Sequence, residues 1–183
     1  MASKNMVKLE EIRRQARERW QEKAKADLYV TVGMGTCGLA AGSADTLAAV
    51  EAELARRALK ATINKVGCVG MCSYEPMVEL QSPGRPRINY GNATADRVPE
   101  ILAAYLDAAP IKESTIIGQV DETEVRRDGQ ALYALSFLDV DSQKKIAFHR
   151  KQLRIVLSNC GLINPESFDD YLAMDGYKAL EIV

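Results

Sequence analysis

Two stretches decide the fold: Tyr29-Val30-Thr31-Val32-Gly33-Met34-Gly35-Thr36-Cys37-Gly38, and further along Ala61-Thr62-Ile63-Asn64-Lys65-Val66-Gly67-Cys68-Val69-Gly70-Met71-Cys72. Each is a short run rich in β-branched residues that breaks into glycines, the pattern of a strand entering a turn. Between them, Ala44–Leu59 carries Leu47, Val50, Leu54 and Ala58 at steps of three and four, which predicts a helix with one apolar face. Ser43 stands where an N-cap hydroxyl would accept an orphan backbone N–H. Beyond Cys72, Pro76–Leu80 and Arg87–Tyr90 read as strands separated by the turn Ser82-Pro83-Gly84. A helix over Val98–Ala108 follows, with Pro99 tolerated in its first turn and Pro110 closing the unit. Residues 27–110 thus read β-α-β-β-β-α, an α/β sandwich with one right-handed crossover.

The cysteines sit at informative places in that order. Cys37 follows the first strand, and Cys68 and Cys72 follow the second in C-x-x-x-C spacing. In a β-α-β unit the loops at the carboxyl ends of adjacent parallel strands converge, so three thiols from two loops should meet near the surface. Both loops are glycine-rich, which lets backbone approach a compact inorganic core and aim N–H groups at it. Thiolates are the soft ligands that iron–sulfur clusters require. Zinc is the other ion that three thiolates and one further ligand would hold. Dithiol–disulfide exchange fits less well, because its motif is C-x-x-C.

The remaining candidates are weaker. His149, the only histidine, lies between Phe148 and Arg150 in a basic stretch and reads as solvated. Cys160, in an Asn-Cys-Gly turn, reads as a small, partly buried residue. Glycines 33, 35, 38 and 42 evoke a dinucleotide loop, but no acidic residue ends the second strand where such a site needs one. No Ser/His/Asp set, P-loop or HExxH sequence occurs, so the chain shows no catalytic apparatus of its own.

Composition bounds the rest. The 183 residues suffice for one domain with a core plus an extension. Lys+Arg 24 against Asp+Glu 25 leaves a net charge of −1, which argues against nucleic acid as a partner. No run approaches the roughly 20 apolar residues of a membrane helix, and the charged first 26 residues hold no signal-peptide apolar region. Four unevenly spread cysteines in such a chain suggest metal or redox work, and a cytoplasmic protein without membrane insertion is expected.

Residues 1–26 predict a charged helical arm with an apolar stripe at Met6, Leu9, Ile12, Ala16 and Trp20, laced by Glu10/Arg14 and Glu22/Lys25 pairs. After Pro110, Ile111–Val120 and Leu132–Val140 look extended around the charged turn Asp121–Gly129. The end of the chain predicts a strand over Leu153–Leu157, a helix from Asn164 through Leu172, and another starting at Gly176.

The run T-V-G-M-G-T-C-G-L-A-A-G-S, followed by V-G-C-V-G-M-C-S-Y-E-P-M-V-E-L, resembles the thioredoxin-like [2Fe-2S] ferredoxin domain of NADH dehydrogenase and bifurcating-hydrogenase subunits. That resemblance implies a thioredoxin-like sandwich over 27–110 and a [2Fe-2S] cluster on Cys37, Cys68 and Cys72. The family's usual set is C-x-x-x-x-C and then C-x-x-x-C. Cys68 and Cys72 match the second pair, whereas the first pair would fall at Gly33 and Gly38, with Cys37 displaced by one. A cluster takes four protein ligands. Either Ser43, Thr36 or a partner's residue completes it, or the domain is a cluster-free assembly module.

Residues 150–183, with N-C-G-L-I-N-P-E and D-G-Y-K-A-L, resemble the opening of the flavin-carrying, NADH-oxidising subunit of the same complexes. The family's flavin and NADH loop does not occur in this chain, so no flavin or NAD site is expected within it. The resemblance implies four parts: an arm (1–26), the ferredoxin-like domain (27–110), an extended linker or β segment (111–147), and a segment (148–183) docking on a partner. The implied partners are a flavin- and NADH-binding subunit and other iron–sulfur subunits.

Overall fold

The computed structural model describes residues 4–23, 25–85, 87–112, 115–120 and 155–181, together with three two-residue strands in between. In chain order the main elements are α1 (Lys4–Lys23), β1 (Tyr29–Gly33), α2 (Thr36–Ala40), α3 (Ser43–Arg56), β2 (Thr62–Val66), β3 (Val78–Gln81), β4 (Arg87–Tyr90), α4 (Val98–Asp107), β5 (Ile116–Val120) and α5 (Phe168–Ala173). The sheet runs β2-β1-β3-β4-β5, with the short strand Phe137–Leu138 at the far edge. β1 and β2 are parallel, and the β1–β3, β3–β4 and β4–β5 pairs are antiparallel. This is the thioredoxin-like α/β sandwich that the sequence implies. Its single parallel pair is the one joined by a helix, as a parallel pair requires.

The two faces of the sheet differ in chemistry. On one, Val30, Val32, Val78, Leu80 and Tyr90 meet Leu47, Val50 and Leu54 of α3 and Ile101, Leu102 and Tyr105 of α4. Val30, Val32 and Leu80 have no exposed surface, so each stabilises the sandwich by about 1.5–3 kcal/mol. The alternate positions Thr31, Asn64, Glu79, Arg87 and Asn89 make the other face, which is polar yet also buried. There Arg87 pairs with Glu79, and Asn89 Nδ2 donates to Glu79 Oε2 at 2.6 Å. Asn64 Nδ2 donates to the carbonyl of Leu162 at 2.8 Å, so the C-terminal segment lies on this polar face.

Several expectations are corrected in detail. Gly42, in the left-handed region at φ 98°, is the N-cap of α3; Ser43 is already helical, and its hydroxyl is buried without a hydrogen-bond partner among the described residues. α3 stops at Arg56 because Ala58 turns left-handed, and Ala108 does the same after α4. The stretch after Cys37 is the short helix α2 rather than a plain glycine turn. The sheet continues past Pro110: β5 pairs with β4, and Ile117 is buried. On α1, Arg14 pairs with Glu11 and Glu18 instead of Glu10, while Lys25 does pair with Glu22.

The C-terminal segment departs furthest. Of the expected strand Leu153–Leu157, only 155–157 falls among the described residues, and it is turn. Ser158 N donates to Ile155 O at 3.3 Å and Cys160 N to Leu157 O at 3.1 Å, which consumes the groups a ladder would use. The helix begins at Phe168, not Asn164. Asn164 Oδ1 accepts the Glu166 amide in a local turn, and Ser167 caps the helix by accepting the Asp170 amide. The chain then closes in a short 3-10 turn over Lys178–Glu181.

Within this segment α5 packs against α1. Ala16, Leu172 and Ala173 are buried together, flanked by Leu9, Ile12 and Trp20 of the predicted stripe. Arg19–Asp169 at 2.8 Å and Lys23–Asp170 at 2.9 Å border the contact, and Arg13 Nε donates to Gly176 O at 2.9 Å. Among the described residues no helix is long and apolar enough to cross a membrane.

Candidate metal centre

β1 and β2 are neighbours and parallel, so the chain leaves both at the same edge of the sheet. Met34 N donates to Val66 O at 2.8 Å, prolonging the ladder by one bond and fixing the two loops side by side. The first loop enters α2 at Thr36 and presents Cys37 in its opening turn. The second passes Cys68 and enters a 3-10 turn at Cys72. The three sulfurs lie within 4.8 Å of one another, as the positional reading predicts. Cys68 and Cys72 Sγ are 3.5 Å apart, and the Gly70 amide donates to Cys68 Sγ at 3.2 Å. Cys72 is exposed, while Cys37 and Cys68 are half-buried.

Two glycines permit this approach. A Cβ on Gly35 would stand 2.9 Å from both the Cβ and the backbone nitrogen of Cys68. A Cβ on Gly38 would stand 2.5 Å from the Gly33 carbonyl and 2.7 Å from Ser43 Oγ. Backbone atoms cannot swing away, so these positions exclude side chains.

Beneath Cys37 lies a residue that the sequence reading did not single out. Glu75 is 7% exposed; its Oε2 accepts the Met77 amide at 2.9 Å, and the Cys37 thiol reaches Oε1 at 3.8 Å. Burial pushes the Glu75 carboxyl above its usual range, partly offset by the Met77 amide and the thiol. Burial, and then the neighbouring Cys68 and Cys72 thiols, push Cys37 up to about 12, so ligation there must displace a proton. A small cavity on the polar face, lined by Gly33, Glu75, Met77, Glu79, Asn89 and Gly161, opens next to this carboxylate.

Of the other positions considered, Gly33 and Gly38 both face Glu75. A Cβ on either would fall 2.9 and 3.1 Å from Glu75 Oε2 respectively. Thr36 is exposed, and Ser43 is buried behind Gly38. Among the described residues Cys160 is not part of the thiol group, and His149 lies outside them. Glu75 escaped notice because a Glu before a Pro signals nothing by spacing; only the fold turns it under Cys37.

No family model matches the chain. It is 61% identical over 31 residues to the NADP-reducing hydrogenase subunit HndC of Solidesulfovibrio fructosivorans, covering 17% of this chain and 6% of that protein. It is 28% identical over 78 residues to subunit HndB of the same organism, covering 42% of this chain and 62% of HndB. A [2Fe-2S] ferredoxin of Clostridium pasteurianum matches at 40% identity over 45 residues, 25% of this chain and 41% of the ferredoxin. The chain thus spans less than two thirds of the length of each of these relatives. Among solved structures, a thioredoxin-like [2Fe-2S] ferredoxin from Aquifex aeolicus aligns at 19% identity and TM-score 0.44, over 52% of this chain and 94% of the ferredoxin. In sequence the chain is similar to a [2Fe-2S] ferredoxin and to two hydrogenase subunits.

Proposed function

We propose that this chain is an iron–sulfur electron-transfer piece of a hydrogenase-type oxidoreductase complex, with a [2Fe-2S] cluster held at Cys37, Cys68 and Cys72. The observation that carries the reading is the convergence of the three thiols to within 4.8 Å on two glycine-rich loops. The donor set fits the group: soft sulfur ligands, a backbone amide already aimed at Cys68 Sγ, and two glycines that admit nothing bulkier. When bound, such a cluster supplies one-electron transfer. The residues of this chain hold it at the sheet edge, where the exposure of Cys72 gives a partner's redox centre an approach.

In this reading the sandwich carries the redox site. The segment 148–183 docks on a flavin- and NADH-binding subunit of a cytoplasmic, electron-bifurcating complex that holds further iron–sulfur subunits. The similarity to two hydrogenase subunits supports that assembly. So does the cluster of exposed aromatics on the segment, where Tyr171 and Tyr177 stack edge-on at 5.2 Å beside Phe168.

Anaerobic reconstitution with iron and sulfide tests the reading. Brown colour, acid-labile sulfide in a 1:1 ratio to iron, and an EPR signal on one-electron reduction are expected. Uptake of zinc alone, or of no metal at all, overturns it, and the latter outcome leaves an assembly module.

A further inference from the structure

We infer that Glu75 is the fourth protein ligand of the cluster, its carboxylate occupying the corner left by the cysteine that the first loop lacks. The inference rests on the cluster reading above and assigns its missing ligand. Three thiols are one short of the four ligands a [2Fe-2S] cluster takes. Glu75 reaches the site from below the first loop, with Oε1 at 3.8 Å from Cys37 Sγ. The four side chains thus fall into two pairs, Cys68–Cys72 at 3.5 Å and Cys37–Glu75 at 3.8 Å, as two irons with two terminal ligands each require.

The electrostatics point the same way. Buried charges are either paired or coordinate metals. Glu53, Glu79 and Asp170 are buried carboxylates, and each has an arginine or lysine partner. Glu75 is equally buried, yet among the described residues its hydrogen bonds are to the Met77 amide and the Cys37 thiol, with no cation beside it. A metal ion held beside Cys37 would give Glu75 Oε1 such a partner.

Position supports the assignment independently. The family pattern expects cysteines at Gly33 and Gly38, and a Cβ at either place runs into Glu75 Oε2, at 2.9 and 3.1 Å. The carboxylate therefore stands where those side chains would grow. Three thiolates and one carboxylate carry the same total charge as four thiolates, so the exchange leaves the ligand charge unchanged. On binding, the Cys37, Cys68 and Cys72 thiols release their protons to solvent, and the thiol–carboxylate contact gives way to one iron bond from Cys37 and one from Glu75; with iron supplied as ferric ion and sulfur as sulfide, no oxidation state changes.

The full chain, reconstituted anaerobically with iron and sulfide, provides the test. Losing a ligand should cost at least the tenfold or so that losing an outer-shell partner costs. Glu75→Ala and Glu75→Gln should therefore retain about tenfold less iron and sulfide after desalting, with far-UV circular dichroism unchanged. Glu75→Cys should keep the cluster with stronger thiolate-to-iron absorption and shifted g-values. Wild-type protein grown on glutamate labelled with ¹³C at the side-chain carboxyl should show hyperfine coupling to the reduced cluster that Glu75→Cys loses, a readout that survives even if the Ala and Gln variants fail to fold. Full loading of Glu75→Ala with an unchanged EPR signal overturns the assignment, as does loss of the cluster in Ser43→Ala but not in Glu75→Gln. A wild-type chain that binds no iron and sulfide overturns the cluster reading itself, a result distinct from either.

Discussion

The two glycine-rich loops hang from neighbouring parallel strands and do different work. The second loop is self-contained: Cys68 and Cys72 sit four residues apart, Gly70 donates to Cys68, and Gly67 has open space around it. The first is closely packed at its glycines. Gly35 presses on Cys68, Gly38 presses on Gly33 and Ser43, and Glu75 fills the space below. A pair of ligands on one loop is specified by local spacing, so it reads directly as a motif. A pair whose members come from α2 and from the chain before β3 is specified by packing and leaves no spacing to read.

Breaking the self-contained loop should have the largest effect. Cys68→Ser or Cys72→Ser is expected to abolish the cluster's visible absorbance and EPR signal while far-UV circular dichroism stays unchanged, because apolar burial holds the sandwich together. If both variants unfold, ligation stabilises the fold, and the contrast between the loops is lost.

The tail gives the next largest effect. It touches the second loop where Gly161 packs on Val69, and it is anchored at its far end by Leu172, which has no exposed surface. Leu172→Ala should cost about 2–4 kcal/mol of local stability. Hydrogen exchange should show lost protection at 168–173 and in the middle of α1, with the β1–β3 amides unaffected.

Gly38→Ala against Gly67→Ala tests the packing difference itself. The first puts a methyl 2.5 Å from a backbone oxygen and should cost about 1–3 kcal/mol in denaturant titration. The second meets nothing within 4 Å and should stay within about 0.5 kcal/mol. Equal costs would mean that the loops are not held differently.

The smallest effect belongs to α3, the helix that the first loop feeds. Hydrogen bonds from Arg56 and then Arg57 hold the Glu53 carboxyl at about 2, below its ordinary 4.5. A lowered folded-state value stabilises above pH 4.5 and is lost as pH falls toward 2. Since Arg56 is largely exposed, the effect should be on the order of 0.5–1 kcal/mol. Glu53→Gln should flatten that part of the melting-temperature profile without touching cluster uptake.

The strands, the α3 and α4 faces and the placement of three thiols at one edge were legible because period and glycine punctuation are local signals. The stripe Leu9, Ile12, Ala16, Trp20 likewise announced a buried face on α1, though not its occupant. At Ile155–Leu157, the described part of the expected strand, the alternation misled, since a few alternating apolar residues do not outweigh a chain that can close its own turns.

By itself, then, the sequence determined the α/β order, the crossover and the thiols at 37, 68 and 72, each set by neighbours a few residues away. Tertiary structure alone decided that α5 rests on α1, that the C-terminal segment lies on the polar face of the sheet, and that Glu75 stands buried under Cys37 with no cation beside it among the described residues. Those contacts join residues far apart in the chain, such as Ala16 with Leu172 and Cys37 with Glu75, and burial and charge act only on atoms that the folded backbone has brought together.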